Sequence, residues 1–281
     1  MRVTIIGLGW LGHSLALRLS QQGADIVGTV RQTEKQKHLN SNGICTHLFD
    51  CYQRIDKATA NALFSQRHIV INIAAGRRNI EPKRYFDAIK SLIDTAKTEG
   101  CNKILFVSTS SVFAEGAGVV TNDTPTSPET ASGQVHADIE TYLLSSYSQA
   151  TVLRLAGLVG PNPEVGYRHP IYSLSKRKSL ANPHAPVNLV HKADVIAAIQ
   201  SILMNNFDRQ VFNLCSQIHP SRQEYYSWCA LKLGLPLLNF ETKTTAQSTT
   251  QLTKTKTIEV KGTLKALGIA LQYPSPFDML P

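Results

Sequence analysis

Glycine spacing near the start of the chain constrains its fold more than any other feature. Val3-Thr4-Ile5-Ile6 reads as a short apolar strand, Gly7-Leu8-Gly9-Trp10-Leu11-Gly12 follows at once, and His13 to Leu19 reads as a helix. G-x-G-x-x-G is informative in this context, after a strand and opening a helix. Gly7 permits a tight turn, Gly9 lets the backbone approach a pyrophosphate, and Gly12 lets the helix pack close to the strand. Trp10 and Leu11, within the loop, join the cofactor-binding set, and the N-terminus of the helix that follows presents N–H groups and a positive dipole end to phosphates.

Strands and helices then alternate. Asp25–Val30, Cys45–Phe49, His68–Ile73, Lys103–Val107 and Thr151–Leu155 read as strands two to six, and Gln210–Asn213 as one more. Tyr85 to Thr98 carries apolar residues at helical spacing, as do the segments around Val135–Leu143 and His191–Met204. Near-continuous apolar strands between helices mean a parallel sheet covered on both faces. The expected fold is α/β, a Rossmann-type doubly wound parallel sheet with a smaller C-terminal substrate lobe. The sheet domain is expected over 1–156 plus 187–213, and the lobe over 157–186 plus 214–281. Thr242 to Thr257, rich in Thr, Gln and Lys, reads as a mobile loop. Ligands of such sheets bind at the carboxyl ends of the strands, so substrate is expected between the two lobes.

Composition narrows the function classes. The 281 residues can bury a sizeable core, and 42% hydrophobic with 17% charged residues fits a soluble globular protein. No apolar run reaches membrane-spanning length. The N-terminal apolar run lacks a basic leader and a small-residue cleavage site, which points to the cytoplasm. Cys45, Cys51, Cys101, Cys215 and Cys229 are odd in number and scattered, with no C-x-x-C, so reduced thiols are expected and no metal site. The net charge of +9 is spread out. Lys176-Arg177-Lys178 and the looser set Lys254, Lys256, Lys261 and Lys265 lack interleaved aromatics. They read as solvated surface and not as a specific nucleic-acid interface.

The glycine loop implies a dinucleotide, and the end of strand two selects between its forms. NAD sites usually place Asp or Glu about 20 residues past the loop, on the ribose. Here Thr29-Val30-Arg31-Gln32 holds no carboxylate, while Arg31 offers a donor fork to a 2′-phosphate. NADP is therefore expected over NAD. Asp50, ending strand three, suits the adenine amino group or a turn. Ala74-Ala75-Gly76, after strand four, joins the cofactor-binding set.

By strand five the chain resembles the extended, atypical short-chain dehydrogenases/reductases of the NAD(P)-dependent epimerase/dehydratase group, the bacterial YeeZ-like proteins among them. The matching residues are the glycine loop, Ser108-Thr109-Ser110-Ser111-Val112-Phe113, Leu153 to Pro161, Asn188-Leu189-Val190-His191 with Asp194, Phe212-Asn213 and Tyr273-Pro274. The resemblance implies that Thr109, with Ser110 and Ser111 beside it, polarises a substrate oxygen, and that Gly160-Pro161 turns the chain toward the lobe and lines the nicotinamide or serves structure alone. It also implies a structural part for His191 and Asp194, and a homodimer through helices flanking the sheet.

The chain departs from the group at its Tyr-x-x-x-Lys pair, whose positions fall at Ser132 and His136. A Ser hydroxyl cannot act as a phenol does. It suits a helix N-cap before Gly133-Gln134-Val135. His136 titrates near neutrality but stands at the lysine position. Tyr167 and Tyr172 are phenols from another direction. Two functions stay open: an NADP(H)-dependent reductase or epimerase-type enzyme on a small polar or sugar-derived molecule, and a catalytically inactive nucleotide-binding regulator or partner protein.

Overall fold

The architecture comes from a computed structural model of the chain; the structure describes residues 1–76, 81–241 and 255–281. Contacts divide it into two units. One comprises Met1–Val112, Pro128–Arg154 and Ile196–Phe212, the other Phe113–Ser127, Leu155–Val195 and Asn213–Pro281. Residues 113–127, 155–156, 187–195 and 213 thus group by contacts with the second unit.

The first unit is built on a seven-stranded sheet. Along the chain run β1 (Arg2–Ile6), α1 (Trp10–Gln21), β2 (Asp25–Val30), α2 (Thr33–Ser41), β3 (Cys45–Leu48), α3 (Lys57–Phe64), β4 (His68–Ile71), α4 (Pro82–Thr98) and β5 (Lys103–Thr109). After β6 (Gly118–Val120) come α5 (Ala131–Ser146), β7 (Ala150–Leu155), β8 (Gly157–Asn162), β9 (Gly166–Arg168), α6 (Ile171–Leu174), β10 (Leu189–His191), α7 (Lys192–Met204) and β11 (Gln210–Leu214). The sheet order is β11-β7-β5-β4-β1-β2-β3, with β4–β5, β1–β4, β1–β2 and β2–β3 paired in parallel. This is the Rossmann-type arrangement expected from the alternation. It sets the carboxyl ends of β1, β2, β3, β4 and β5 along one edge.

Local chemistry explains the helices that matter for that edge. Pro82 opens α4, where its fixed φ suits the first turn. The helix then turns Tyr85, Ile89, Leu92, Ile93 and Ala96 into a core shared with Ile69, Ile71, Ile104 and Phe106. Each large apolar side chain so buried stabilises by about 1.5–3 kcal/mol. Thr130, not Ser132, caps α5: its side chain accepts from Gly133 N at 3.0 Å. Lys103 is 1% exposed, and its ammonium donates to the carbonyls of Ile202 and Asn205 at the end of α7, where the helix dipole favours a cation.

The second unit holds a three-stranded sheet, β10-β8-β9, and a two-stranded one. The latter pairs β6 with β12 (Lys256–Ile258), and α8 (Arg222–Lys232) and α9 (Lys261–Leu267) accompany them. The loop expected over 242–257 lies outside the described residues from 242 to 254, and its last two residues begin β12. Lys256 is not solvated surface: it is 6% exposed and pairs with Glu115 at 2.8 Å. Gly160 and Pro161 lie within β8 and make no turn, and His191 ends β10. The C-terminal segment is tied in repeatedly. Asp194 accepts from Gln272 N and Tyr273 N, Pro274 O accepts from Gln217 N, Pro276 O from the Tyr225 hydroxyl, and Met279 O from the Tyr167 hydroxyl.

No described helix is long and apolar enough to cross a membrane. Among the described residues no group of three or more His, Cys, Asp or Glu is placed to hold a metal ion. All five cysteines are free thiols, Cys45 exposed and the others buried.

Candidate functional site

The glycine loop is closed underneath and open on top. Gly7 has φ +103°, and a Cβ there would lie 2.6 Å from Asn72 O. At Gly12 a Cβ would lie 2.3 Å from Gly7 O, so the first turn of α1 rests directly on the loop backbone. At Gly9 a Cβ would meet nothing within 4 Å. Gly9 is also the N-cap of α1, with no side-chain cap and no acidic residue in the first turn. Half-buried Trp10 and buried Leu11 begin that turn. A helix end so arranged favours an anion.

Neighbouring strands hold the loop through residues that local spacing did not reveal. Gly7 N donates to Thr29 Oγ1 at 2.9 Å, and Leu8 N to Thr29 O at 2.9 Å. Asn72 Nδ2 donates to Gly7 O at 3.3 Å. Leu8 is 2% exposed and lies over β2, where a Cβ on Gly28 would come within 2.2 Å of its Cδ1. Thr29, Gly28 and Asn72 thus fix the loop from β2 and the end of β4. Only the tertiary pairing of β1 with both strands marks them out.

At the ends of β2 and β3, Arg31 is exposed and Asp50 half-buried. One Asp50 oxygen accepts from Tyr52 N at 3.1 Å, closing a turn, and Gln53 N reaches Asp50 O at 3.0 Å. Burial pushes the adjacent Cys51 thiol up to about 11; Asp50 raises it further, while the Arg31 and Arg84 charges oppose the shift. After β4, Ala74 and Gly76 are exposed, Ala75 is half-buried, and Gly76 has φ +86°. The Tyr85 hydroxyl donates to Ile73 O at 2.7 Å, fastening α4 to this strand end.

The hydroxyl residues also lie at the carboxyl edge. Thr109 Oγ1 donates to Ser111 Oγ and accepts from Ser111 N, each at 3.2 Å. Ser110 and Ser111 start a short 3-10 turn. A Cβ on Gly133 would lie 2.2 Å from Ser111 O, so the first turn of α5, which carries Ser132, presses on Ser111. The fold therefore brings Thr109, Ser110, Ser111 and Ser132 into one neighbourhood.

His136 is differently placed. It is 6% exposed, stacked on Phe106 at 5.7 Å and beside Tyr85 at 5.6 Å between ring centroids. Its Nδ1 lies 2.7 Å from Ser132 O. A carbonyl only accepts, so Nδ1 carries the proton. Burial holds the ring below its ordinary pKa, against the opposing Ser132 carbonyl and the Glu140 charge. It is a neutral packing histidine near pH 7.

One turn further along α5, Glu140 is 2% exposed. It accepts from Ser108 Oγ at 2.5 Å and from Arg154 Nε and Nη2 at 3.0 and 2.7 Å. This buried group joins β5, α5 and β7 directly beneath Thr109. Nothing in its spacing had signalled it.

In the second unit Gly160 has φ +138°, and a Cβ there would lie 3.1 Å from His191 Nε2. His191 packs 3.6 Å from the Tyr273 ring, and burial, with the Lys192 charge, depresses its pKa to about 4. The Tyr167 hydroxyl is spent on Met279 O at 2.5 Å, and Tyr172 is exposed. Structural contacts account for His191, Asp194 and Tyr167.

A glycine cradle beside a row of hydroxyls on a doubly wound sheet defines the class. Residues 3–215 match the NAD dependent epimerase/dehydratase family, and the chain belongs to it. Protein YeeZ of Escherichia coli strain K12 is 32% identical over 281 residues, 99% of this chain and 98% of that protein. The UDP-glucuronic acid 4-epimerase of Bacillus cereus, solved with NAD, matches with a TM-score of 0.77 at 18% identity, covering 99% of this chain and 94% of that one. The Bordetella bronchiseptica enzyme WbmG, solved with NAD and UDP, also matches with a TM-score of 0.77 at 18% identity, over 99% of this chain and 90% of that one. At these identities the two solved structures share the fold.

Proposed function

We propose that the chain binds NADP(H) in its glycine loop and acts as a reductase- or epimerase-type oxidoreductase on a small polar, sugar-derived substrate. The observation that carries this reading is the loop's shape: no room for a Cβ at Gly7 or Gly12, nothing among the described residues within 4 Å of a Cβ at Gly9, and a helix start to which Gly9 gives no side-chain cap. That is the form a backbone takes where a diphosphate approaches it. The relatives solved with NAD and with UDP support the substrate class by analogy. NADP is favoured because Arg31, exposed at the end of β2, can fork onto a 2′-phosphate where no carboxylate awaits a free hydroxyl.

When bound, the dinucleotide gives or takes the hydride. Thr109 polarises the substrate oxygen, Ser111 holds the Thr109 rotamer through their mutual hydrogen bonds, and Ser132 borders the same space. His136, buried with its Nδ1 proton on Ser132 O, steadies the start of α5 instead of moving a proton. Protons then exchange with water through the hydroxyls. The missing phenol removes an acid–base contribution worth about 10²–10⁴-fold in rate, so turnover is expected to be slow.

The burial of His136 favours a second reading, in which the chain keeps the nucleotide site without catalysis and passes its ligand state to a partner. Calorimetry with NADPH and NADH, followed by NADPH oxidation across nucleotide-sugar and carbonyl substrates, tests both. The enzyme reading expects NADPH about tenfold tighter than NADH and turnover that disappears in Thr109→Val. Binding without turnover on any substrate moves the conclusion to the second reading. No binding of either dinucleotide at millimolar concentration sinks both.

A further inference from the structure

Strand β5 runs on past its neighbour β4. Their pairing ends with Phe106 opposite Ile71, and Ser108 and Thr109, the last two residues of β5, lie beyond it. On that side the sheet ladder does not hold the backbone that carries the Thr109 hydroxyl. The bonds of that hydroxyl are weak as well. It donates to Ser111 Oγ and accepts from Ser111 N, both at 3.2 Å, which is long for a hydroxyl donor.

The stronger bonds start from the residue before it. Successive strand residues point to opposite faces, so Ser108 looks away from Thr109. The Ser108 hydroxyl donates to Glu140 Oε1 at 2.5 Å. On β7, Arg154 Nε and Nη2 donate to Glu140 Oε2 at 3.0 and 2.7 Å. None of the three residues is more than 6% exposed. Bonds to an ionised group are short and about twice as strong as neutral ones, and here bulk water competes little. Glu140 shares α5 with Gly133, where a Cβ would lie 2.2 Å from Ser111 O. Fastening Glu140 to Ser108 therefore also sets how α5 bears on Ser111, and Ser111 in turn bonds Thr109.

We propose that Ser108, Glu140 and Arg154 are positioning residues, which hold the Thr109 hydroxyl in one orientation for a substrate oxygen. The orientation rests on these buried bonds, and its use on a substrate rests on the oxidoreductase reading above.

The test compares the full chain with Ser108→Ala and Ile104→Val. S108A deletes one hydroxyl and leaves the Glu140–Arg154 pair. I104V trims a fully buried residue of the same strand and controls for lost stability. With threonine methyls labelled, three-bond couplings of the Thr109 methyl carbon to its backbone nitrogen and carbonyl carbon read χ1. The parent and I104V are expected to show a single staggered rotamer, and S108A an average over at least two. Small misplacements of a reacting group cost up to about 10²-fold in rate, so kcat is expected to fall about tenfold in S108A with KM unchanged. A merely structural Ser108 would lower the melting point of S108A and leave its couplings and kcat at the parent values, which overturns the proposal. Rotamer averaging in the parent, or equally in I104V, overturns it too. Averaging confined to S108A, in a parent that turns over no substrate, upholds the orientation and sinks the oxidoreductase reading instead.

Discussion

At the scale of single residues, Gly9 and Gly12 separate ligand approach from packing. A methyl at Gly9 meets nothing within 4 Å among the described residues, so Gly9→Ala is expected to lower the melting point only by the cost of a poorer N-cap, about 1 kcal/mol or less, and to weaken NADPH at least about tenfold by filling the diphosphate's path. A methyl at Gly12 meets Gly7 O at 2.3 Å, so Gly12→Ala is expected to lower both stability and binding. Equal effects of the two changes on melting point and affinity would contradict the geometry. The loop was legible in the sequence because strand, glycines and helix are contiguous. Asn72 and Thr29, which brace it, were not: they reach Gly7 from 65 and 22 residues away. The surroundings of His136 were hidden for a related reason. Its place in the Tyr-x-x-x-Lys pattern suggested proton transfer, but burial between Phe106 and Tyr85 is a tertiary fact.

At the scale of elements, α5 is fixed at its start and at its middle by different chemistry. Thr130→Ala removes a side-chain cap and is expected to cost about 1 kcal/mol. Arg154→Met strands the Glu140 carboxylate in a site only 2% exposed and is expected to cost about 3–5 kcal/mol, read by urea unfolding. A loss under about 1 kcal/mol would mean that Glu140 takes a proton or finds water. The seven strands of the large sheet and helices α1, α4, α5 and α7 followed from apolar runs and helical spacing. The short strands β6, β8, β9, β10 and β12 did not, since three to six residues, in all but β10 interrupted by Gly, Pro or Lys, carry no period. Lys256 illustrates this: read alone it is one of a basic series, and only the pairing of β12 with β6 buries it beside Glu115.

For the whole molecule, buried histidines set the response to acid. Burial holds His169 and His191 near pKa 4, and His136 is depressed in the same direction. Each binds its proton more readily in the unfolded chain, so their contribution is complete above about pH 6.5 and is lost as pH falls toward 4. By pH 5 the first two together cost about 4 kcal/mol. Urea midpoints at pH 7.5 and 5 check this; a midpoint that does not fall would refute it. The second unit gathers three stretches of chain, and its last ties are made by Tyr273, Pro274, Pro276 and Met279. During synthesis, then, a nascent chain still lacking that segment leaves the Tyr225 hydroxyl and the Asp194 carboxylate waiting for partners. The unit can close only once Tyr273 to Met279 have left the ribosome.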